Sequence, residues 1–139
     1  MAVLILATVM ISLYGAFSYG FMTIQACRED LRATQILMQQ TEAIRLCTWS
    51  QLTNYNFQES YDPFGAANAG GGTRYSGTVA VQPASAIPDS ATYKTNMRQV
   101  AVTVYWTNTY GNSPLVHSRQ MKTQVARYGL KDYIWGKIQ

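Results

Sequence analysis

Apolar side chains occupy most positions of residues 1–27, and this stretch contains no charged residue. About 20 apolar residues are enough to cross a bilayer as a helix. A helix that is apolar on every face has to be covered by lipid or by other helices. We therefore predict a membrane-spanning or filament-buried helix whose contact surface is formed by Val3, Leu4, Leu6, Val9, Met10, Leu13, Phe17 and Phe21.

Other interpretations of this apolar segment are less consistent with the residues. A cleaved signal peptide begins with a basic region and ends at a small-x-small site, and we find no basic region here. A lipoprotein anchor would use Cys27, but Gln25 is a poor residue at its position before that cysteine. The core helix of a soluble protein would need more cover than a chain of 139 residues supplies.

Polar residues begin at Arg28, and the apolar positions of residues 28–50 then recur at helical spacing on one face. No glycine or proline interrupts this part, so we expect one helix from about residue 2 to about residue 50, roughly 70 Å long. Its second half is amphipathic and is predicted to contribute Ile36, Leu37 and Ile44 to a core. The domain organisation expected is 1–27 for the apolar half, 28–52 for the amphipathic half and 53–139 for a globular domain.

Alternation of apolar and polar residues predicts three strands after this helix, over 75–82, 98–106 and 116–125. Strand side chains alternate between the two faces. One face of the second strand, with Val100, Val102, Val104 and Trp106, is therefore expected to pack on the amphipathic helix. The third strand is more polar and is expected near an edge. The fold class predicted is α+β: a long N-terminal helix, with an apolar protruding half, packed on a small antiparallel sheet.

Turn-forming residues and small residues predict the segments that connect the helix and the strands. Residues 53–73 are expected to form a loop, because they contain turn-like aromatic segments and a flexible Ala/Asn/Gly tract. Residues 83–93 contain two prolines and are expected to be exposed. Residues 109–114 are expected to connect two strands as a hairpin, and the aromatic tail 128–135 is expected to fold back on the sheet.

Composition changes the range of possible functions. Charged residues make up only 13% of the chain, against a typical quarter. The net charge of +4 is modest and scattered, so we expect no nucleic-acid partner. The chain has one histidine, His117, and two cysteines, too few for most metal or nucleophilic sites. We expect no enzyme activity, no metal and no cofactor. The basic residues of the C-terminal part are expected to form a solvated face.

The two cysteines, Cys27 and Cys47, lie twenty residues apart on the predicted helix, or about 30 Å. A disulfide requires Cα atoms within about 7 Å. We therefore expect buried thiols rather than a bond within one chain. A bond between subunits stays open as an alternative.

The residues also resemble the type IV pilin superfamily, the bacterial type IV pilins and pseudopilins. Residues 2–50 resemble the pilin helix, and Trp49 falls within the similar segment. The segments that resemble minor pilins and pseudopilins more specifically are Leu31-Arg32-Ala33-Thr34-Gln35-Ile36-Leu37, Glu42-Ala43-Ile44-Arg45-Leu46, Arg98-x-Val100-x-Val102-Thr103-Val104-x-Trp106, and Arg119-x-Met121-x-Thr123 to Tyr128-Gly129-Leu130.

The chain departs from the family pattern at its beginning. The basic leader, the glycine before the cleavage point, the methylated phenylalanine and the following glutamate have no counterpart here, and Met1 corresponds to a position several residues past the processing site. A start codon further upstream, a sequence confined to ordered residues and a protein that is not processed are the three explanations. The helix-bending proline of many pilins is also absent. We expect the helix to loosen instead between Gly15 and Gly20 in the filament, because glycine costs about 1 kcal/mol against alanine in a helix.

The resemblance implies a structural role. The chain is expected to be a structural subunit of a type IV pilus-like filament, a homo-oligomer with helical symmetry. It would lie in the inner membrane before assembly and at the cell surface afterwards, with prepilin peptidase and the assembly machinery as partners. A minor pseudopilin of a type II secretion system and a single-pass membrane-anchored binding domain that does not polymerise are the alternatives. The major or minor character of the subunit and its task are left open.

Overall fold

The computed structural model describes residues 2–62, 72–110 and 113–129. A single helix, α1 (Ala2–Leu46), precedes four strands: β1 (Tyr55–Tyr61), β2 (Thr73–Pro83), β3 (Met97–Tyr110) and β4 (Ser113–Ala126). Short 3₁₀ turns lie at Trp49–Gln51 and Lys94–Asn96. The strands form one antiparallel sheet in the order β1-β2-β3-β4. The predicted α+β class, a long N-terminal helix followed by an antiparallel sheet, is confirmed.

The chain divides into two compact units, Met1–Arg32 and Ala33–Gln139. The first unit consists of the N-terminal part of α1. The second contains the rest of α1 and the whole sheet. The expected divisions at 27 and 52 are not tested by this observation, and they stay predictions.

The core of the second unit lies between the remaining part of α1 and one face of the sheet. The four β3 residues predicted on the inner face are at most 5% exposed, because alternate side chains of an extended strand point the same way. Helix residues at helical spacing meet them in the same cluster. All seven residues expected at the helix–sheet contact are buried there: Ile36, Leu37, Ile44, Val100, Val102, Val104 and Trp106.

The prediction of a loop over residues 53–73 is wrong for part of that range. Residues Tyr55–Tyr61 form β1, which pairs with β2 from Tyr55↔Val79 to Tyr61↔Thr73. Aromatic and polar positions do alternate in this segment, and Phe57 and Glu59 turn towards the inner face and are half-buried. The turn-like composition that follows the strand concealed this period-two pattern. Residues 63–71 lie outside the described part of the chain.

The remaining connections agree with the sequence pattern to different degrees. The connection 84–93 contains turns, as expected, but Ala84 and Ile87 within it are buried rather than exposed. Strand β4 forms one edge of the sheet, as its polarity predicts. At the hairpin, Tyr110 pairs with Ser113, and residues 111–112 lie outside the described residues. Of the expected tail, residues 130–135 also lie outside them.

Candidate membrane and assembly surface

The first part of α1 presents large apolar side chains on all sides. The eight residues predicted for the contact surface are between 49% and 79% exposed, from Leu13 to Val3. Because successive residues of a helix are about 100° apart, Ile5, Ile11 and Tyr19 lie at other positions around the axis, and they are also more than 60% exposed. An apolar surface around a whole helix is unfavourable in water and typical of contact with lipid or with other helices.

The serine and threonine hydroxyl groups in this segment are bonded within the helix itself. The Oγ1 of Thr8 donates to the carbonyl of Ile5 at 2.8 Å, and the Oγ of Ser12 donates to that of Val9 at 2.9 Å. Ser18 and Thr23 donate to the carbonyls four residues before them, at 3.0 and 2.9 Å. Each of the four serine and threonine hydroxyls between Ala2 and Ile24 therefore has an acceptor without water, which removes most of its cost in an apolar medium.

The length of the charge-free part fits a bilayer. Residues Ala2–Cys27 would be about 39 Å long as a helix, against about 30 Å for the hydrocarbon layer. Within the described residues, α1 is the one helix long and apolar enough to cross a membrane. At the end of the charge-free part, Gln25 Nε2 donates to the carboxylate oxygen Oε1 of Glu29 at 3.4 Å.

The two glycines of this segment lie in uninterrupted α-helix. A Cβ added to Gly15 or Gly20 would meet no atom within 4 Å. At Gly15 the missing side chain leaves a shallow notch, bordered by Tyr14, Ser18, Tyr19 and Met22. The isolated chain thus shows no loosening of the helix. The loosening expected from the sequence concerned the filament, and it stays a prediction.

The residues considered for catalysis or metal binding have structural contacts in the second unit. The His117 ring stacks on Trp106, with centroids 5.4 Å apart and an interplanar angle of 18°. Its Nε2 lies 3.2 Å from the Oδ1 of Asn108. No group of three or more histidine, cysteine or acidic side chains that could hold a metal ion occurs among the described residues. Cys27 and Cys47, both within the described chain, carry thiols rather than a disulfide. The expectation that these thiols are buried is wrong, because Cys27 is exposed on a part of α1 that the described residues do not cover, and Cys47 is only half-buried.

Two ionisable groups of the second unit have displaced pKa values. Partial burial, and secondarily the nearby thiol of Cys47, raises the pKa of Tyr55 above its usual 10.0. The Tyr55 hydroxyl donates to Gln40 Oε1 at 3.0 Å, which links β1 to α1. The hydrogen bond from Lys94 and its charge lower the pKa of the exposed Asp89 carboxyl. Both groups serve the local structure of the second unit.

Comparison with known protein families, with curated proteins and with solved structures finds no match. The layout of a long N-terminal helix packed on an antiparallel sheet is compatible with a pilin-like fold. The long apolar helix is compatible with anchoring in a membrane.

Proposed function

We propose that this protein is a structural subunit of a type IV pilus-like filament, held in the inner membrane by the first part of α1 before assembly. The observation that carries the proposal is the surface of that segment, which is apolar on all sides, uncharged from Ala2 to Cys27 and internally hydrogen-bonded at its serine and threonine hydroxyl groups. Lipid and a bundle of like helices are the two environments that suit such a surface, and a pilin occupies both in succession.

Small residues support the second environment. Without a hydrophobic driving force in lipid, helices associate through close packing, and small residues allow it. Ala16 and Gly20 lie four apart, so they share a face of α1. Gly15 contributes the notch beside Tyr19. A neighbouring copy that inserted a side chain there would make a contact between unlike surfaces, and such a contact propagates into an open helical polymer when its rotation does not close.

A non-polymerising anchored domain is the second candidate, because a single helix of this length and composition is sufficient to hold a domain at a membrane. A minor pseudopilin of a type II secretion system would use the same surface in a short assembly. The abundance of the chain in filaments distinguishes these functions, since a major subunit is plentiful and a pseudopilin is scarce.

The test is electron microscopy and mass spectrometry of the fraction sheared from cells that produce the protein. We expect thin filaments with this chain as a main component. Filaments that contain it in traces indicate a minor subunit. Recovery of the chain only from the membrane fraction, with no filament, contradicts the proposal and leaves the anchored domain.

A pair of matched variants separates the role of the apolar segment from general damage to the helix. Leu13 and Leu31 are both exposed leucines of α1, 49% and 64% accessible, but only Leu13 lies in the charge-free part. Arginine in the middle of a membrane helix costs about 2.5–3.5 kcal/mol on insertion scales. Leu13→Arg should therefore reduce membrane recovery and abolish filaments, whereas Leu31→Arg should leave membrane recovery unchanged. Equal membrane recovery of the two variants would contradict the assignment of the segment.

A further inference from the structure

An open cleft lies at one end of the sheet, where β2 ends, β3 begins and the chain leaves β4. Its volume is about 750 Å³. The 3₁₀ turn at Trp49–Gln51 and the residues after it form one wall, and the turn before β3 forms another. Side chains lining the cleft include Trp49, Asn54, Gln82, Lys94, Arg98 and Arg127.

Positive charge is concentrated in this cleft. Neither Arg98 nor Arg127 has a carboxylate partner within the described residues, and Lys94 pairs with Asp89, an exposed carboxylate outside the lining. In the β3–β4 register Arg98 lies opposite Val125, two residues before Arg127. Arg127 follows the end of β4, and both arginines line the cleft. Two like charges in one cleft repel each other, and an anion bound between them would relieve that repulsion.

The Arg98 guanidinium is held in place. It stacks on the Trp49 ring, with Cζ 4.3 Å from the centroid. Its Nη1 donates to the carbonyls of Trp49 and Leu52 at 3.4 and 3.3 Å. An arginine has five N–H donors, and within the described part of the protein those on Nε and Nη2 have no acceptor. A fixed guanidinium with one edge available is suited to bidentate binding of a carboxylate or phosphate.

Neutral hydrogen-bonding groups surround the cations. The Asn54 Oδ1 accepts from the backbone N–H of Val81 at 2.7 Å, which fixes the amide and leaves its NH₂ as a donor. Exposed Thr53, Gln82 and Thr95 add hydroxyl and amide groups along the same walls. Such groups match the hydroxyls of a sugar, and a phosphate ion alone would leave them unused.

We propose that this cleft binds an acidic sugar, with the carboxylate or phosphate group between Arg98 and Arg127 and the sugar hydroxyls on Asn54 and its neighbours. The proposal does not depend on polymerisation of the chain. A uronic acid and a sugar phosphate share the required chemistry, an oxyanion on a polyhydroxyl ring, and the experiment separates them.

The test is an NMR titration of the full chain in detergent micelles with glucuronate, glucose 6-phosphate, glucose and inorganic phosphate. We expect saturable shifts at Asn54 and Gln82 with at least one acidic sugar, with an affinity about tenfold above that for inorganic phosphate. The acidic sugar that binds more tightly shows whether the cleft prefers a carboxylate or a phosphate. Equal affinity for inorganic phosphate, binding of glucose as tight as that of the acidic sugars, or no saturable shift overturns the proposal.

Matched variants locate the binding. Arg127 lies in a turn, so Arg127→Gln should preserve folding and weaken binding about tenfold. Lys122, an exposed cation on the opposite face of the sheet, provides the control: Lys122→Gln should leave affinity unchanged. Arg98→Lys keeps the charge but loses the planar fork, and it should also weaken binding while thermal unfolding monitors its fold. If Arg127→Gln and Lys122→Gln weaken binding equally, the attraction is nonspecific and the proposal is overturned. Binding of a short DNA duplex more tightly than of either acidic sugar would also overturn it.

Discussion

The aromatic ring of Phe57 lies directly on the bare backbone of Gly77, its partner across the β1–β2 pair. A Cβ placed on Gly77 would be 2.1 Å from Phe57 Cζ, closer than any real contact. The half-buried ring packs against the main core from this position. Gly77 is therefore required for the close approach that attaches β1 to the rest of the sheet.

Gly77→Ala is expected to lower the free energy of unfolding by about 1–3 kcal/mol, because the new methyl group displaces the Phe57 ring from the core edge. Denaturant unfolding of the full chain in detergent measures the change. In a Phe57→Ala background the same substitution should cost almost nothing, since the clash is gone. Ser76→Ala, on the exposed face of the same strand, is the control. Additive effects of the Gly77 and Phe57 substitutions would contradict this explanation.

Val102→Ala is expected to destabilise the second unit by about 1.5–3 kcal/mol, because Val102 is fully buried between α1 and the sheet. Val116→Ala makes the same chemical change at a side chain that is 67% exposed, and it should stay within about 0.5 kcal/mol of the unmodified protein. Thermal or denaturant unfolding compares the two. If Val116→Ala lowers the free energy of unfolding as much as Val102→Ala does, then β4 is covered by a partner that is absent from the isolated chain.

Alkaline pH is expected to destabilise the fold through Tyr55. Its pKa in the folded protein is raised, so the folded state binds the proton more tightly than the unfolded state. The resulting stability is present below pH 10 and is lost as pH rises through the folded pKa. The free energy of unfolding, measured between pH 9 and about pH 11, should therefore decline less for Tyr55→Phe than for the unmodified protein. Gln40→Met removes the hydrogen-bond acceptor alone and should retain most of the decline, because burial is the larger cause.

Replacement of Gly15 and Gly20 by alanine is expected to strengthen the helix. Neither new methyl group meets an atom of this chain, and alanine is favoured over glycine by about 1 kcal/mol in a helix. Hydrogen exchange of the nearby amides in detergent should slow about fivefold for each substitution. If the helix loosens here in the filament, the double variant should insert into membranes normally but assemble poorly. Normal filaments from it would contradict that loosening.

The sequence predicts the elements with strong periodicity. Helix α1 and strands β2 to β4 follow from apolar positions such as Ile36, Ile44 and Val102, whose spacing matches one structure only. Strand β1 could not be predicted in this way, because it lies at an edge of the sheet and has few side chains on the inner face. In addition, Gly77, the glycine against which Phe57 packs, is twenty residues away in the sequence. The cleft was missed for a similar reason. Arg98 and Arg127 are brought together by the β3–β4 register, and each alone is typical of a solvated cation.

The internal bonds of Thr8, Ser12, Ser18 and Thr23 bear on the energetics of leaving a membrane. These four hydroxyls keep their acceptors when acyl chains are replaced by protein neighbours. The difference between the two states then comes from dispersion contacts and from the freedom of the lipid chains. The hydrogen bonding of these four side chains therefore does not oppose the passage of the segment from lipid to a bundle of like helices.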